Sequence, residues 1–369
     1  MLKAISPRLS VWASNLLLLA LISLPTYAQH FTRTDLTVNP GSAITAPNTD
    51  DHLHNAWGLS RSSGSPWWIS DNGTGVSTLY NAAGVAQPAP PLVVTIPAPK
   101  EGDTSTPTGT VFNYTSGFEV APGKKAIFLF VTEDGTISGW NPGVKPTESV
   151  IVVNRAGKAN YKGCTLATTK FGTFLYVVNF QTGKIEVYDS TFQRVFGFGF
   201  GFRDEHAPHG FVPFNIQNVG GSLVVTYAKK ERGSDEEAHG PGLGFVAIFN
   251  PFGRLIQRLD RGPFLNAPWG VAEAPSDFGV FSHRLLIGNF GDGTINAFNP
   301  ISGEFEGKLL DSAGAPVWID GLWALSFGSN GAASGLATEL YFTAGPNDEN
   351  DGLFGKLAPV ATEQRGNNE

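Results

Sequence analysis

Cysteine is almost absent from this sequence, and an excess of positive charge is missing. Cys164 is the single cysteine among 369 residues, which excludes a disulfide within the chain and leaves apolar burial as the source of stability. Its small and apolar neighbours favour a buried structural thiol over a nucleophile.

Charged residues make up 15% of the sequence and the formal net charge is -7. Since binding to phosphates needs a basic surface, nucleic acid is excluded as an expected partner.

Long apolar runs are missing from everything but the N-terminus. Lys3 and Arg8 precede an apolar run at residues 16–22, and small residues at Thr26 and Ala28 follow it. This order is typical of an export signal cleaved after Ala28, and the run is short for a membrane anchor. We therefore expect residues 1–28 to be a signal peptide, residues 29–360 one domain and residues 361–369 a polar tail. The expected product is a secreted or periplasmic monomer without a transmembrane segment.

Glycine and proline, in contrast, are abundant, with 45 and 25 residues beside 27 phenylalanines. Many short strands joined by turns rich in these residues produce such a composition, and helical bundles do not. One stretch sets the pattern: NAWGLS is followed by the apolar WWIS, the turn SDNGTG and then VSTLY, within residues 55–80. It predicts three short strands, because the Asn-Gly turn supplies the positive φ of a tight hairpin.

The same order of strands and turns recurs six times. The units occupy residues 55–84, 112–143, 161–193, 212–253, 265–303 and 319–357. A β-branched run after most units adds a fourth strand, and self-similarity at this spacing is typical of a propeller. The sequence therefore predicts an all-β fold, a six-bladed β-propeller with four-stranded blades. Because the last unit lacks a fourth strand, residues 31–38 are predicted to pair with the last blade and to close the ring.

One rim of such a propeller collects the loops that lead into the inner strands and the turns between the second and third strands. Ligands commonly bind on this face, so we expect a small molecule, a glycan or a protein to bind there. Five of the seven histidines fall on this rim. The candidate rim residues are His52, His54, Asn55, Trp57, Tyr114, Tyr161, Asn179, His206, His209, His239, Trp269, Asn289, Asp320 and Trp323.

Two sets of these residues suit a divalent cation. His52 and His54 would face the same side of an extended segment, as a zinc-binding pair does, although loop histidines are also ordinary solvated residues. Asn179, Asn289 and Asp320 offer the oxygen atoms that calcium prefers. Asn and Asp also make tight turns without a ligand, so both interpretations stay open.

Three tryptophans recur at the start of inner strands, namely Trp57, Trp269 and Trp323. They either stack between the blades as core or form the floor of an apolar or sugar-binding pocket. No G-x-S-x-G, H-E-x-x-H or P-loop motif is present, so the sequence assigns no catalytic residue.

The stretches NAWGLS, SDNGTG, LIGNFGDGTINAFNP and LYFTAGPNDENDGLFG resemble an uncharacterised family of secreted bacterial proteins. The resemblance covers nearly all of the chain after the signal and implies an NHL-like six-bladed propeller. Some members carry a PEP-CTERM sorting tail, whereas this chain ends in QRGNNE. No activity comes with the resemblance, which leaves a binding or interaction module as the expected function. A more distant likeness to gluconolactonase-type propellers implies the alternative, a metal-dependent hydrolase of lactonase type with calcium or zinc at the channel mouth.

Overall fold

Six antiparallel sheets surround a common axis in the computed structural model, which describes residues 29–197 and 201–361. The predicted signal and residues 362–369 of the predicted tail lie outside the described residues. The inner strand of each sheet contacts the inner strand of the next, from blade one to blade six and back to blade one. The sheets therefore form a closed ring, and the prediction of a six-bladed propeller is confirmed. Within the described ranges, no helix has the length and apolar character needed to cross a membrane.

Each blade has four main strands, named from the axis outward. The inner strands are Ala56–Ser60, Pro107–Phe112, Tyr161–Thr169, Phe211–Val219, Pro268–Glu273 and Leu322–Phe327. The second strands are Trp67–Asp71, Phe128–Thr132, Gly172–Asn179, Ser222–Lys230, Leu285–Asn289 and Leu340–Ala344. The third strands are Val76–Tyr80, Thr136–Trp140, Lys184–Tyr188, Gly244–Phe249, Ile295–Phe298 and Leu353–Pro359. The outer strands are Val94–Thr95, Val150–Asn154, Arg194–Val195, Leu255–Arg258, Phe305–Lys308 and, for blade six, Phe31–Val38.

A few short elements lie outside this scheme. They are the strands Asn48–Thr49, Glu119–Ala121, Lys124–Lys125 and Glu237–Ala238 and the 3-10 helix Gly279–Phe281. The end of the ring at which the inner strands begin is called the top below.

The ring closes through the N-terminal strand, as predicted. Phe31–Val38 pairs antiparallel with Leu353–Pro359 and becomes the outer strand of blade six. Phe31 is buried against Phe278, with 4.8 Å between the ring centroids. Its backbone N–H donates to the carbonyl oxygen of Leu310 at 2.8 Å. The closing strand is thus fixed to blade five as well as to blade six.

The core lies between neighbouring blades. Trp68 of blade one stacks on Phe128 of blade two with 4.3 Å between ring centroids. Because both faces of a blade are covered, second strands such as Trp67–Asp71 are buried along their whole length and do not alternate between apolar and polar residues. Cys164 is buried as well, and this burial raises the pKa of its thiol, which fits a structural role.

Blade two begins earlier than its repeat unit predicted. Its inner strand is Pro107–Phe112, and the residues from 113 to 127 are an insertion that contains the small hairpin of Glu119–Ala121 and Lys124–Lys125. The strand was missed because Thr108 stands where most of the other blades carry an aromatic residue. Its Gly109 is required by close packing, since a Cβ there would lie 2.8 Å from the backbone nitrogen of Cys164.

Tyr114 is consequently misplaced in the sequence-based prediction. It follows the inner strand of blade two and therefore lies at the bottom of the ring. There its hydroxyl is 3.1 Å from that of Thr168, which is near the end of the inner strand of blade three. Tyr114 is not a residue of the top rim.

Candidate functional site

A register shift occurs near the top of every inner strand. In blade three, for example, the pairing with the second strand shifts between Tyr161 and Gly163, and in blade five between Pro268 and Gly270. Such bulges redirect the side chain of the residue that they contain. The residues at this position are Trp57, Thr108, Lys162, Phe214, Trp269 and Trp323.

Aromatic side chains fill the top of the channel. The ring centroids of Trp57 and Trp323 are 3.7 Å apart. Phe290 stacks on Trp323 with 3.9 Å between their ring centroids. Trp269 approaches Trp57 from blade five at 6.2 Å. We call the buried set the aromatic plug, which consists of Trp57, Phe180, Phe214, Trp269, Phe290 and Trp323. The tryptophans are therefore core residues that close the channel, and they also floor the polar layer above them.

Lys162 takes the position in blade three that tryptophan takes in blades one, five and six. Its side chain is 1% exposed, and its Nζ donates to Glu133 Oε1 at 2.6 Å. Glu236 Oε2 and Glu237 Oε2 lie 3.6 and 3.9 Å from the same nitrogen, which sits 5.0 Å from the centre of the Trp57 ring. Burial alone would lower the pKa of Lys162, but the attraction of Glu133, Glu237 and Glu236 outweighs it and the pKa is raised. Lys162 is therefore a fixed cation and not a base or nucleophile.

Polar side chains from several blades meet above the plug. Glu349 of blade six accepts a hydrogen bond from Asn55 Nδ2 at 2.5 Å, and Asn55 Nδ2 also donates to Asn72 Oδ1 at 3.3 Å. Asn72 Nδ2 donates to Glu133 Oε2 at 2.9 Å, which links the chain to Lys162. We call this layer the mouth; its residues are Asn55, Asn72, Glu133, Lys162, Glu236, Glu237, His239 and Glu349.

Asn55 anchors the mouth to the plug. Its Oδ1 accepts hydrogen bonds from the indole N–H groups of Trp57 and Trp323, both at 2.9 Å. The residue adopts a φ of 45°, in the left-handed region, and is 4% exposed. Gly345 leaves room for it, because a Cβ there would lie 2.2 Å from Asn55 Oδ1. Asn55, a candidate from the sequence, thus lies at the top of the channel and accepts hydrogen bonds from two buried donors.

Glu349 is held over the mouth by a strained turn. Asn347, Asp348 and Glu349 have φ values of 58°, 51° and 64°, three consecutive non-glycine residues in the left-handed region. Each such residue costs about 1 kcal/mol, somewhat less for Asn and Asp. Asp320 supports the turn, since its Oδ2 accepts a hydrogen bond from the backbone N–H of Asn347 at 3.0 Å. Burial, together with repulsion by Glu237, raises the pKa of Glu349 to about 7.

This raised pKa predicts a loss of stability with rising pH. Between the unfolded value of 4.5 and about 7, the folded chain keeps a proton on Glu349 that the unfolded chain has lost, so the free energy of unfolding falls as pH rises through this window. After allowance for partial solvent exposure, the loss is about 1 to 2 kcal/mol. Glu349→Gln keeps the acceptor for Asn55 and should flatten this part of the curve, so that the variant is more stable than the parent at pH 8, as measured by urea unfolding.

Asp348→Asn is the matched control, because Asp348 is an exposed carboxylate of the same turn. It should leave the free energy of unfolding within about 0.5 kcal/mol of the parent. Equal pH curves for the parent and Glu349→Gln would contradict the burial of this carboxylate.

His239 and Glu237 enter the mouth from an insertion in blade four. The strand Glu237–Ala238 pairs with Lys229 and Lys230 and so folds the insertion back over the channel. His239 Nε2 lies 3.8 Å from Glu237 Oε1, and the histidine ring meets Phe290 edge-on at 5.0 Å. Glu237 raises the pKa of His239. Of the five rim histidines, His239 is the one with contacts to the mouth and the plug.

The other histidines lie elsewhere, which corrects their predicted grouping. His52 Nδ1 contacts Asp50 Oδ1 at 3.0 Å, whereas His54 Nδ1 contacts the carbonyl oxygen of Asn350 at 2.9 Å, so the two do not act as a pair. His206 lies 3.2 Å from the guanidinium of Arg258 on the outer strand of blade four, and His209 is exposed in the same loop. His52, His54 and His206 therefore contact different parts of the ring.

Asn179, Asn289 and Tyr161 are likewise engaged within their own blades. Asn179 Nδ2 donates to Glu186 Oε1 at 3.1 Å, and the hydroxyl of Tyr161 donates to Glu186 Oε2 at 2.9 Å. Asn289 Nδ2 donates to the carbonyl oxygen of Phe264 at 2.8 Å. With Asp320 bonded to its turn, the three proposed calcium ligands do not converge. The described residues contain no group of three or more His, Cys, Asp or Glu side chains arranged to hold a metal ion.

The sequence-based candidates omitted three central residues of the mouth, Lys162, Glu133 and Glu349. A signal for Lys162 was present, because Lys162-Gly163 occupies the place of Trp57-Gly58 and Trp269-Gly270 in the repeat. Glu133 directly follows a second strand, as Asn72 and Phe290 do in their blades. Glu349 had no such signal, since its position depends on the strained turn.

Sequence comparison finds uncharacterized viral relatives. The chain is 34% identical over 327 residues to "Uncharacterized protein R648" of Acanthamoeba polyphaga mimivirus, covering 85% of this chain and 76% of that protein. It is 32% identical over 330 residues to "Uncharacterized protein L690" of the same virus, covering 85% and 82%. No family model matches the chain. These relatives do not support the bacterial origin or the secretion that the resemblance implied.

Solved structures share the fold at low sequence identity. A protein of unknown function from Bacteroides thetaiotaomicron has a TM-score of 0.54 at 8% identity, covering 90% of this chain and 76% of that chain. A glucose dehydrogenase has a TM-score of 0.52 at 14% identity, covering 88% and 99%. Virginiamycin B lyase from Staphylococcus aureus has a TM-score of 0.50 at 10% identity, covering 90% and 100%. At these identities the comparisons establish the propeller fold alone.

Proposed function

Because this chain belongs to the same family as the two uncharacterized mimivirus proteins, and its fold specifies no activity, we propose a function from the mouth itself. The protein is a binding module that receives a small molecule, or a short side chain of a larger partner, over the aromatic plug. The convergence of polar side chains from blades one, two, three, four and six on this plug carries the proposal.

The energetics of the mouth support a role beyond folding. The left-handed turn of Asn347 to Glu349 and the half-buried carboxylate of Glu349 both cost stability. Groups that are strained or carry shifted pKa values concentrate at functional sites, where the surrounding fold holds them in place. The rim positions proposed as metal ligands show no such cost, because each forms hydrogen bonds within its own blade. A binding site at the mouth is therefore favoured over a metal-dependent hydrolase.

A thermal-shift screen with a blocked mouth tests this function. Sugars, amino acids, amines and carboxylic acids are offered to the parent chain, to His239→Trp and to His206→Trp. His239 is half-exposed above Phe290, so a tryptophan there should cover the mouth, whereas His206 is exposed beside Arg258 of the outer strand of blade four. A ligand present at 100 times its dissociation constant stabilises the folded state by about 2.7 kcal/mol.

We expect compounds that raise the melting temperature of the parent to do so equally for His206→Trp and not for His239→Trp. A ligand that stabilises both variants equally would place the binding site away from the mouth. The absence of any stabilising compound class would also argue against the proposed function.

Export is part of the proposal. The pattern of charge, apolar run and small residues up to Ala28 supports a cleaved signal, and with it a working place outside the cytoplasm. Intact-mass measurement of protein recovered from an expressing host would test it, with a mature chain beginning at Gln29 as the expected result. A chain that retains residues 1–28 would contradict cleavage.

A further inference from the structure

The mouth already holds one ammonium group, that of Lys162, and the contacts of this group show which ligand chemistry the mouth stabilises. Lys162 Nζ donates to Glu133 at 2.6 Å and lies 5.0 and 5.7 Å from the ring centres of Trp57 and Phe180. A carboxylate on one side and aromatic faces on the other are the surroundings that stabilise a desolvated ammonium ion. The surroundings of Lys162 therefore show that the mouth can stabilise an ammonium group.

A second set of residues beside it has the same composition. The side chain of Glu237 is 4% exposed, and its Oε2 has no hydrogen-bond donor among the described residues. Lys162 Nζ is 3.9 Å from this oxygen, which is too far for a hydrogen bond. His239 links Glu237 to the ring of Phe290, at 3.8 and 5.0 Å respectively. A buried carboxylate oxygen without a donor has lost its hydration and gained no hydrogen bond in exchange, so a donor from outside the chain would be stabilised here.

The charges of the mouth favour a cation as that donor. Four carboxylates surround one ammonium group, so the local formal charge is -3 when every carboxylate is ionised and His239 is neutral. The carboxylates are those of Glu133, Glu236, Glu237 and Glu349, and the ammonium group is that of Lys162. A recessed group of like charges over low-dielectric walls attracts ions of the opposite sign.

We propose that the mouth binds an organic cation, a primary ammonium group, which donates hydrogen bonds to the carboxylates of Glu237 and Glu349 and packs against Phe290. The inference rests on the binding function proposed above and names the ligand class. An organic cation is favoured over a metal ion because the carboxylates do not converge in metal-binding geometry within the described residues. In addition, Glu133 is already engaged through both oxygens, by Lys162 and Asn72.

Binding should weaken as pH falls from 8 to 6. Glu349 takes up a proton near pH 7 and loses its negative charge. The pKa of His239 is raised, so the histidine also takes up a proton as pH falls and gains a positive charge. The other charged groups that face Glu349 are Glu237 from blade four, Glu133 from blade two and Lys162 from blade three. An alkylammonium ligand stays charged over this range, so the change comes from the protein.

Isothermal titration calorimetry of the full chain with n-pentylammonium chloride at pH 8 tests the proposal. 1-Pentanol is the neutral isostere, calcium chloride is the metal arm, and N-acetyl-lysinamide presents the same group as a peptide side chain does. We expect saturable binding of pentylammonium, no binding of pentanol, and at least a tenfold rise in the dissociation constant for Glu237→Gln. Glu205→Gln removes an exposed carboxylate of the perimeter and should leave the dissociation constant unchanged.

Glu349→Gln provides a second variant, which keeps its hydrogen bond to Asn55, in case Glu237→Gln does not fold. It should weaken binding at pH 8 and reduce the pH dependence. Equal binding of pentylammonium and N-acetyl-lysinamide would support a peptide side chain as the source, and binding of pentylammonium alone would support a free amine.

Three results would overturn the inference: equal binding of amine and alcohol, binding of calcium but not of amine, or no binding of any cation. If a neutral compound from the screen above is blocked by His239→Trp while no cation binds, the inference fails but the binding function stands.

Discussion

Deletion of residues 29–40 is expected to abolish the cooperative unfolding transition of the propeller. The strand Phe31–Val38 is the outer strand of blade six, and its loss exposes the hydrogen-bonding edge of Leu353–Pro359. It also removes the buried side chains of Phe31, Leu36 and Val38. Each contributes about 1.5 to 3 kcal/mol, so together they match much of the 5 to 15 kcal/mol by which a domain is usually stable. Differential scanning calorimetry should show no native transition for the truncated chain.

Two point variants of the same strand sharpen this test. Phe31 is 1% exposed between Phe278 and Phe281, whereas the next residue, Thr32, is exposed. Phe31→Ala should lower the free energy of unfolding by about 3 to 5 kcal/mol, and Thr32→Ala by less than about 0.5 kcal/mol. A truncated chain that melts like the parent, or equal effects of the two substitutions, would refute closure by this strand.

Lys162→Met is expected to destabilise the protein by about 3 to 5 kcal/mol at pH 8. Methionine fills a similar volume over the plug, but it leaves the buried carboxylate of Glu237 and the half-buried one of Glu133 without their cation. Removal of one partner from a buried ion cluster costs more than the cluster contributes, because the remaining charges stay desolvated.

Urea unfolding at pH 8 measures this loss of stability. Lys158→Met is the matched control, because Lys158 is exposed four residues earlier, and it should be nearly neutral. The double variant Lys162→Met with Glu237→Gln should regain part of the lost stability, since the most buried unpaired charge is gone. If Lys162→Met and Lys158→Met were equally stable at pH 8, the ion cluster would not be the electrostatic centre of the mouth.

The recurring order of strands and turns made most of the ring predictable from the sequence. The inner strand of blade one and the turn after its second strand were read from NAWGLS and SDNGTG, and the third strands followed from short apolar runs. The missing fourth strand of the last unit led directly to Phe31–Val38, because a propeller without closure would leave a sheet edge unpaired. Blade two was shifted because its inner strand carries Thr108, where most of the other blades carry an aromatic residue.

The candidate site was less predictable, because the assignment of a residue to the top rim does not determine its distance from the propeller axis. His206 and His239 both belong to loops of blade four, yet His206 contacts Arg258 on the outer strand while His239 contacts Phe290 of the plug. The difference arises because the strand Glu237–Ala238 folds one loop back over the channel. Pairing of this kind depends on contacts made after the blade has formed, and the local pattern of residues does not record it.

The sequence by itself determined the number of blades, their order and the strand that closes them, because these follow from short-range periodicity, turn residues and the need to pair every edge. The tertiary structure alone decided which polar side chains meet. Lys162, Glu133, Glu237 and Glu349 come from four blades and are far apart in the chain, and they converge because register shifts and one left-handed turn point them at a common axis. The burial of Lys162 and Glu237 and the raised pKa of Glu349 are properties of that convergence.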